Sequence, residues 1–175
     1  MKKQSNSSYP HSMTSFNRSL ADYKSRVYET YFPIATSSVA TSDKATILVI
    51  EDNVDHWFLI RWALLQRFPQ SRIQWLETNS DVLPYLDGCQ QRQESLPRLV
   101  LVDLYLPSAQ QGLHVFQTLK AHPVYQALPS FALSGSTSVE DRANVYAHSA
   151  DGYLVKPTSY QNWLSEISLL DPYLS

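Results

Sequence analysis

Five polar side chains in this sequence stand directly at the ends of short apolar runs, and their types could do chemistry together. Three are carboxylates, one is a hydroxyl and one is an ammonium: Glu51, Asp52, Asp103, Ser134 and Lys156. A single charge at the end of an apolar run has an ordinary explanation, because strands must end and Asp is a common turn residue. The same pattern at several runs in chain order favours one shared site.

Three carboxylates in a small space repel one another and raise their own pKa values, so a bare cluster is costly. Lys156 offers one compensating positive charge. A divalent cation offers two, and Mg²⁺ prefers one or two carboxylates together with water and phosphate oxygens. Such a site has the parts to accept a phosphoryl group, with a carboxylate as nucleophile and the Ser134 hydroxyl as an additional hydrogen-bond donor.

The elements that must position these residues alternate along the chain. Apolar runs predict five strands, and helical spacing of apolar residues predicts a helix after each strand. Alternation with short connections indicates right-handed βαβ units and a parallel sheet covered on both faces. We therefore expect an α/β fold, a flavodoxin-like doubly wound five-stranded parallel sheet with five helices. The predicted strands are 46–50, 72–77, 97–103, 129–135 and 152–157, and the predicted helices are 53–68, 80–89, 112–122, 138–149 and 159–170.

The carboxyl ends of parallel strands meet at one edge of the sheet, which is where such folds bind ligands. The turn after the first strand reads EDNVD and contains no glycine, and no P-loop pattern is present. A bound dinucleotide pyrophosphate is therefore not expected.

The composition changes near residue 44. Residues 1–44 are rich in Ser, Thr, Tyr and Asn and contain few aliphatic residues. We expect a mostly flexible N-terminal extension there and a single domain over residues 45–175. Residues 16–31 carry apolar side chains at helical spacings, so a short helix and a disordered tyrosine-rich segment remain open.

Charge and composition exclude several classes of function. The net charge of −2 provides no basic field for nucleic acid or for an acidic membrane surface. No apolar run approaches the roughly 20 residues of a membrane-spanning helix. The single cysteine, Cys89, cannot form an internal disulfide, so we expect a cytoplasmic protein. The five histidines are interpreted as scattered, without metal-ligand spacing.

From about residue 45 to 170 the sequence resembles the receiver domains of two-component response regulators. Four motifs carry the resemblance: VIEDN (49–53), LVDLYLP (101–107), LSGS (133–136) and GYLVKP (152–157). The resemblance implies that Asp103 is the phospho-acceptor, that Ser134 is the switch hydroxyl and that Lys156 contacts the phosphoryl group.

The same resemblance implies a magnesium site. Asp52, Asp103 and the backbone carbonyl of Tyr105 are the expected ligands of Mg²⁺, and Glu51 is expected to reach the ion mainly through water. It further implies that Tyr153 is an aromatic switch residue that turns inward when Ser134 moves. A cis peptide bond is expected between Lys156 and Pro157.

The loop after Asp103 and the residue after Ser134 depart from the family pattern. The loop after Asp103 reaches Gly112 one residue late, and Gln111 stands where an acidic residue is usual. Gly135 replaces the commoner alanine after the hydroxyl. Tyr105 is expected to shield an acyl phosphate on Asp103 from water and to slow its hydrolysis.

The function implied is that of a stand-alone receiver, not an enzyme, because 44 N-terminal and five C-terminal residues leave no room for an output domain. We expect it to receive a phosphoryl group from a sensor histidine kinase or a phosphotransfer protein and to signal by binding another, unknown protein. The stretch 122–136 resembles single-domain receivers, including those that serve phytochrome-type kinases. The sequence leaves a homodimer open.

Two alternatives also remain. One is a receiver-like interaction module that does not use phosphate. The other is a phosphohydrolase with an aspartyl intermediate, although Tyr105 occupies the position where that class has its second acid.

Overall fold

A computed structural model describes residues 44–174 of the chain. The strands are β1 (Thr46–Ile50), β2 (Arg72–Leu76), β3 (Leu99–Asp103), β4 (Ser130–Ser134) and β5 (Gly152–Val155). They form one five-stranded sheet in which every pairing is parallel, with the strand order β2-β1-β3-β4-β5. The predicted flavodoxin-like α/β fold is thereby confirmed.

Five helices alternate with the strands, and a sixth, short helix ends the described chain. They are α1 (Val54–Arg67), α2 (Val82–Gln91), α3 (Ala109–Ala121), α4 (Val139–Ala147), α5 (Tyr160–Ile167) and α6 (Asp171–Leu174). The helix considered for residues 16–31 lies outside the described residues. Among residues 44–174, the helices are all too short or too polar to cross a membrane.

The strands are buried because they carry continuous apolar sequence, which suits a sheet covered on both faces. All five positions of β3 and all five of β4 are buried. Successive residues of a strand point to opposite faces, and each face has its own core. Leu48 and Val102 join the core that includes Leu86 of α2 and Phe116 of α3.

The opposite face packs against α1 and α5. Val49 and Leu101 of the sheet share a core with Ile60 and Trp163. Trp163 is 3% exposed, so this tryptophan is a core residue. The two cores together explain why the chain forms a three-layer, doubly wound domain.

Helix boundaries differ from the sequence prediction where side chains cap or interrupt a helix. Helix α3 begins at Ala109, three residues before the predicted start, because the Ser108 side chain accepts a hydrogen bond from the Gln111 backbone N–H. The predicted helix 159–170 ends as a helix at Ile167 and continues as a 3₁₀ turn, Ser168–Leu170, before α6. Pro172 cannot donate the N–H that an uninterrupted helix would pair with the Ser168 carbonyl.

Candidate functional site

The strand order places β1 and β3 side by side at the centre of the sheet. The chain leaves β1 toward β2 on one side and returns to β3 on the other, so this is the point where the winding reverses. Ile50 pairs with Val102, and the next residues along the two strands are Glu51 and Asp103. Glu51 is fully buried and Asp103 is 7% exposed.

Backbone hydrogen bonds hold Glu51 in position. Its N–H donates to the Leu76 carbonyl at 3.0 Å, and its own carbonyl accepts from the Trp75 indole Nε1–H at 2.7 Å. The Asn53 N–H donates to Glu51 Oε1 at 3.2 Å. These contacts to its N–H, its carbonyl and its carboxylate hold Glu51 at the end of β1.

Lys156 reaches this pair of carboxylates from the end of β5. Its Nζ lies 2.7 Å from Glu51 Oε2 and 2.9 Å from Asp103 Oδ2. The ammonium therefore neutralises part of the charge that the two strands bring together. Glu51, Asp103 and Lys156, which the sequence placed at three strand ends, are in direct contact.

Burial decides the ionisation of Glu51. The pKa of its carboxyl is raised from 4.5 to about 7: desolvation by burial is the largest cause, the Lys156 ammonium lowers the pKa, and the neighbouring Asp103 carboxylate raises it. The ammonium thus compensates the burial only in part.

His56 is a member of this site that the sequence interpretation missed. Asn53 caps α1, because its side-chain oxygen accepts from the N–H groups of Asp55 at 2.9 Å and His56 at 3.1 Å. The cap places His56 in the first turn, with Nδ1 3.3 Å from Glu51 Oε1 and 3.2 Å from Lys156 Nζ.

The interpretation of all five histidines as scattered is wrong for His56. Burial lowers the pKa of His56, and the nearby Lys156 ammonium lowers it further. One ligand atom from each of Glu51, His56 and Asp103 lies within 4.8 Å of the others. The available signal in the sequence was that His56 follows Glu51 by five residues, in the first turn of the predicted helix.

Asp52, the second acid after β1, lies outside the cluster formed by Glu51, His56 and Asp103. Its side chain is exposed. Of the acidic pair that ends β1, the structure turns Glu51 inward to meet Asp103.

Tyr105 connects the loop after Asp103 to α4. Its backbone N–H donates to Asp103 Oδ1 at 3.2 Å, and its hydroxyl donates to Asp141 Oδ2 at 2.9 Å. The loop is also pressed against the start of α3. A Cβ atom on Gly112 would lie 2.1 Å from the Leu104 carbonyl oxygen, so only glycine fits there.

Ser134 and Tyr153 are joined through Ser136. The buried Ser134 hydroxyl accepts from the Ser136 N–H at 3.1 Å, and the Ser136 carbonyl accepts from the Tyr153 hydroxyl at 2.8 Å. Tyr153 is 6% exposed, and the Arg142 guanidinium lies 4.8 Å from its ring centroid. The predicted switch pair therefore forms one hydrogen-bonded chain with one residue between its members.

The expected cis bond before Pro157 is wrong, because all peptide bonds within the described residues are trans. The trans preference of such a bond is only about 0.5–1 kcal/mol, so a sequence motif alone does not decide the isomer. At the end of β5, the Lys156 N–H donates to the Ser134 carbonyl at 2.7 Å.

Comparison with known proteins decides the family. The family model described as the response regulator receiver domain matches residues 47–168. The chain belongs to the response regulator receiver family. A relative, the probable methanogenesis regulatory protein FilR2 of Methanothrix harundinacea (strain 6Ac), is 34% identical over 131 residues, which are 75% of this chain and 84% of that protein.

Solved receiver structures share the fold. The response regulator receiver domain from Rhodospirillum rubrum is 26% identical, with a TM-score of 0.60 over 72% of this chain and 90% of that chain. The phosphorylated cyanobacterial phytochrome response regulator RcpA is 24% identical, with a TM-score of 0.62 over 75% of this chain and 94% of that chain. Receiver domains are signalling modules that bind Mg²⁺ at an acidic site and interact with histidine kinases or phosphotransfer proteins.

Proposed function

We propose that this receiver accepts a phosphoryl group on Asp103 from a histidine kinase or a phosphotransfer protein, in a reaction that needs a divalent cation. The contacts of the Asp103 carboxylate carry the proposal. One oxygen lies 2.9 Å from the Lys156 ammonium and the other accepts from the Tyr105 N–H. Both are donors that can stabilise charge on a phosphorylated aspartate.

The chemistry is a transfer between two nucleophiles. An Asp103 carboxylate oxygen forms a bond to phosphorus, and the bond from phosphorus to the histidine nitrogen of the donor breaks. The leaving nitrogen keeps the electron pair, and the product is an acyl phosphate. Lys156, already beside Asp103, is placed to pair with a phosphate oxygen.

Carboxylates are the ligands that Mg²⁺ prefers, and two are brought together here by the strand ends. Asp103 and the acidic pair, Glu51 and Asp52, together with the Tyr105 carbonyl, are the residues that we assign to the cation. When bound, the cation neutralises charge on the carboxylates and on the incoming phosphate oxygens.

The Ser134–Ser136–Tyr153 chain supports a switch in the same site. A phosphate on Asp103 adds acceptor oxygens, and the Ser134 hydroxyl has a proton to donate to them. If Ser134 turns toward the phosphate, its hydrogen bond with the Ser136 N–H is lost, and Ser136 is also the residue that holds Tyr153. The surface formed by α4, β5 and α5 then changes shape and is the surface we assign to a downstream protein.

Acetyl phosphate and MgCl₂ test the proposal by intact-mass spectrometry. We expect one phosphoryl adduct on the wild type, none on Asp103→Asn and none in the presence of EDTA. Asp81→Asn, which changes an exposed aspartate outside the site, is the matched control and should keep the adduct.

Two other results would overturn the proposal in different ways. Absence of an adduct on wild type incubated with both acetyl phosphate and several phosphorylated histidine donors would favour the phosphate-independent interaction module. Release of many molecules of inorganic phosphate per protein molecule would favour the phosphohydrolase.

A further inference from the structure

The side chain of Tyr105 connects the loop after Asp103 to α4. At one end, the Tyr105 backbone N–H donates to Asp103 Oδ1 at 3.2 Å. At the other end, the Tyr105 hydroxyl donates at 2.9 Å to Oδ2 of Asp141, a residue in the first turn of α4. The ring therefore extends from the Asp103 loop to α4 and is held at both ends.

Asp141 itself is held by the cap of α4. The Ser138 hydroxyl accepts from the N–H groups of Glu140 at 3.1 Å and Asp141 at 3.4 Å, and the Ser136 hydroxyl accepts from the Ser138 N–H at 3.1 Å. Two consecutive side-chain turns thus fix the backbone that carries the Asp141 carboxylate. Neither turn uses the Ser134 hydroxyl, so both can persist when that hydroxyl turns toward a phosphate.

The Tyr105 ring depends on this contact for its orientation. Its side chain is 46% exposed, so packing against neighbouring residues holds the ring only in part. A hydrogen bond to a carboxylate is among the stronger kinds in proteins, and here it is made by the end of the side chain that lies farthest from the backbone. Asp141 therefore selects one orientation among the rotamers that a half-exposed tyrosine can adopt.

Hydrolysis is the reaction that removes an acyl phosphate from Asp103. A water oxygen forms a bond to phosphorus, the bond between phosphorus and the Asp103 oxygen breaks, and the carboxylate keeps the electron pair. Both protons of the water leave with the phosphate, as dihydrogen phosphate. The rate depends on whether water reaches phosphorus, and a ring held beside the carboxylate reduces the directions from which water can arrive.

We propose that Asp141 is a positioning residue that sets the lifetime of the acyl phosphate on Asp103, because it holds the Tyr105 ring beside the phosphoryl group. The inference rests on the proposed function, since it concerns the product of that reaction. Asp141 acts as a hydrogen-bond acceptor for the Tyr105 hydroxyl and does not touch the reacting atoms.

The lifetime of the adduct tests the inference on the full chain, by intact-mass spectrometry after acetyl phosphate is removed. Asp141→Ala should shorten the lifetime about three- to tenfold, the range that loss of one hydrogen bond allows. Asp141→Asn keeps an acceptor oxygen and should stay within about twofold of wild type. Glu140→Ala is the matched control, because Glu140 is an exposed acid of the same helical turn, and it should leave the lifetime unchanged.

A double-mutant cycle shows whether Asp141 acts through the Tyr105 hydroxyl. Tyr105→Phe keeps the ring but loses the hydroxyl, so it should shorten the lifetime as much as Asp141→Ala does, and the double variant should lose the adduct no faster than either single variant. NMR signals of the Tyr105 ring in the unphosphorylated protein give a second readout. They should move in Asp141→Ala but not in Glu140→Ala, and circular dichroism shows whether each variant is folded.

The outcomes separate this inference from the proposed function. If wild type and Asp141→Ala lose the adduct at the same rate, Asp141 does not position the ring and the proposed function still stands. Equal shortening by Asp141→Asn and Asp141→Ala would assign the effect to the negative charge, and additive effects in the cycle would show that Asp141 does not act through Tyr105; either result overturns the inference. If wild type forms no adduct with any donor, the proposed function fails and the inference fails with it.

Discussion

Replacing Glu51 with glutamine should stabilise the metal-free protein, although the change removes an ion pair. The carboxylate is fully buried, and its pKa is raised from 4.5 to about 7 with desolvation as the largest cause. At about 1.4 kcal/mol for each pH unit between the two values, the ionised form costs the folded state about 3 kcal/mol. A neutral amide avoids this cost and can still accept a hydrogen bond from Lys156.

The sign of the pH dependence follows from the same shift. Because the folded-state pKa is the higher one, the folded state binds more protons than the unfolded state between pH 4.5 and about 7. The contribution of Glu51 to stability is fully present below pH 4.5 and is lost as the pH rises to about 7. Glu51→Gln should lack this part of the pH dependence.

Thermal unfolding in EDTA at pH 8 measures the effect. About 3 kcal/mol corresponds to a rise of the unfolding midpoint by about 10 °C for a domain of this size. Glu94→Gln, which removes an exposed carboxylate paired with Arg92, is the matched control and should give no rise. A midpoint for Glu51→Gln below that of wild type would refute the reasoning, because the pairing with Lys156 would then outweigh desolvation.

Three further predictions concern the loop after Asp103, the start of α3 and the buried Tyr125. Tyr105→Ala should shorten the lifetime of the acyl phosphate, measured by loss of the adduct over time, and a longer lifetime would contradict shielding by the ring. Gly112→Ala should destabilise the domain by about 3 kcal/mol in urea unfolding, because its Cβ would meet a carbonyl oxygen at 2.1 Å, whereas Gly135→Ala has nothing within 4 Å and should differ little from wild type. Tyr125→Phe removes the hydroxyl that donates to Asp87 at 2.5 Å and should cost about 1–2 kcal/mol in the same assay; an unchanged midpoint would show that this hydrogen bond adds nothing.

The sequence predicted the sheet well because β1 and β3 are short runs of apolar residues buried on both faces. Short apolar runs such as TILVI and LVLVD, when they alternate with segments of helical spacing, indicate buried strands rather than helices. The ends of helices were predicted less well, because one capping side chain can set where a helix begins and the apolar spacing does not show it. Ser108 begins α3 earlier than the apolar spacing alone indicates.

At the site, the polar residues that follow the strands predicted which strand ends meet. They did not predict which side-chain atoms are in contact. Which acid of the pair after β1 turns inward depends on the backbone beyond the last strand residue, and the structure places Glu51 there rather than Asp52. His56 escaped the sequence interpretation because its neighbours come from three separate elements. The Asn53 side chain, which accepts from the His56 N–H, holds the first turn of α1 where the imidazole meets Glu51.

The two sides of Asp103 at the rim of the sheet differ in how closely the backbone is packed. Next to Asp103, the first turn of α3 rests on the Leu104 carbonyl without space for a single added carbon. On the β4 side, a Cβ on Gly135 would meet nothing within 4 Å. The backbone beside Asp103 therefore has no free space toward α3, whereas the backbone just after β4 has open space beside Gly135.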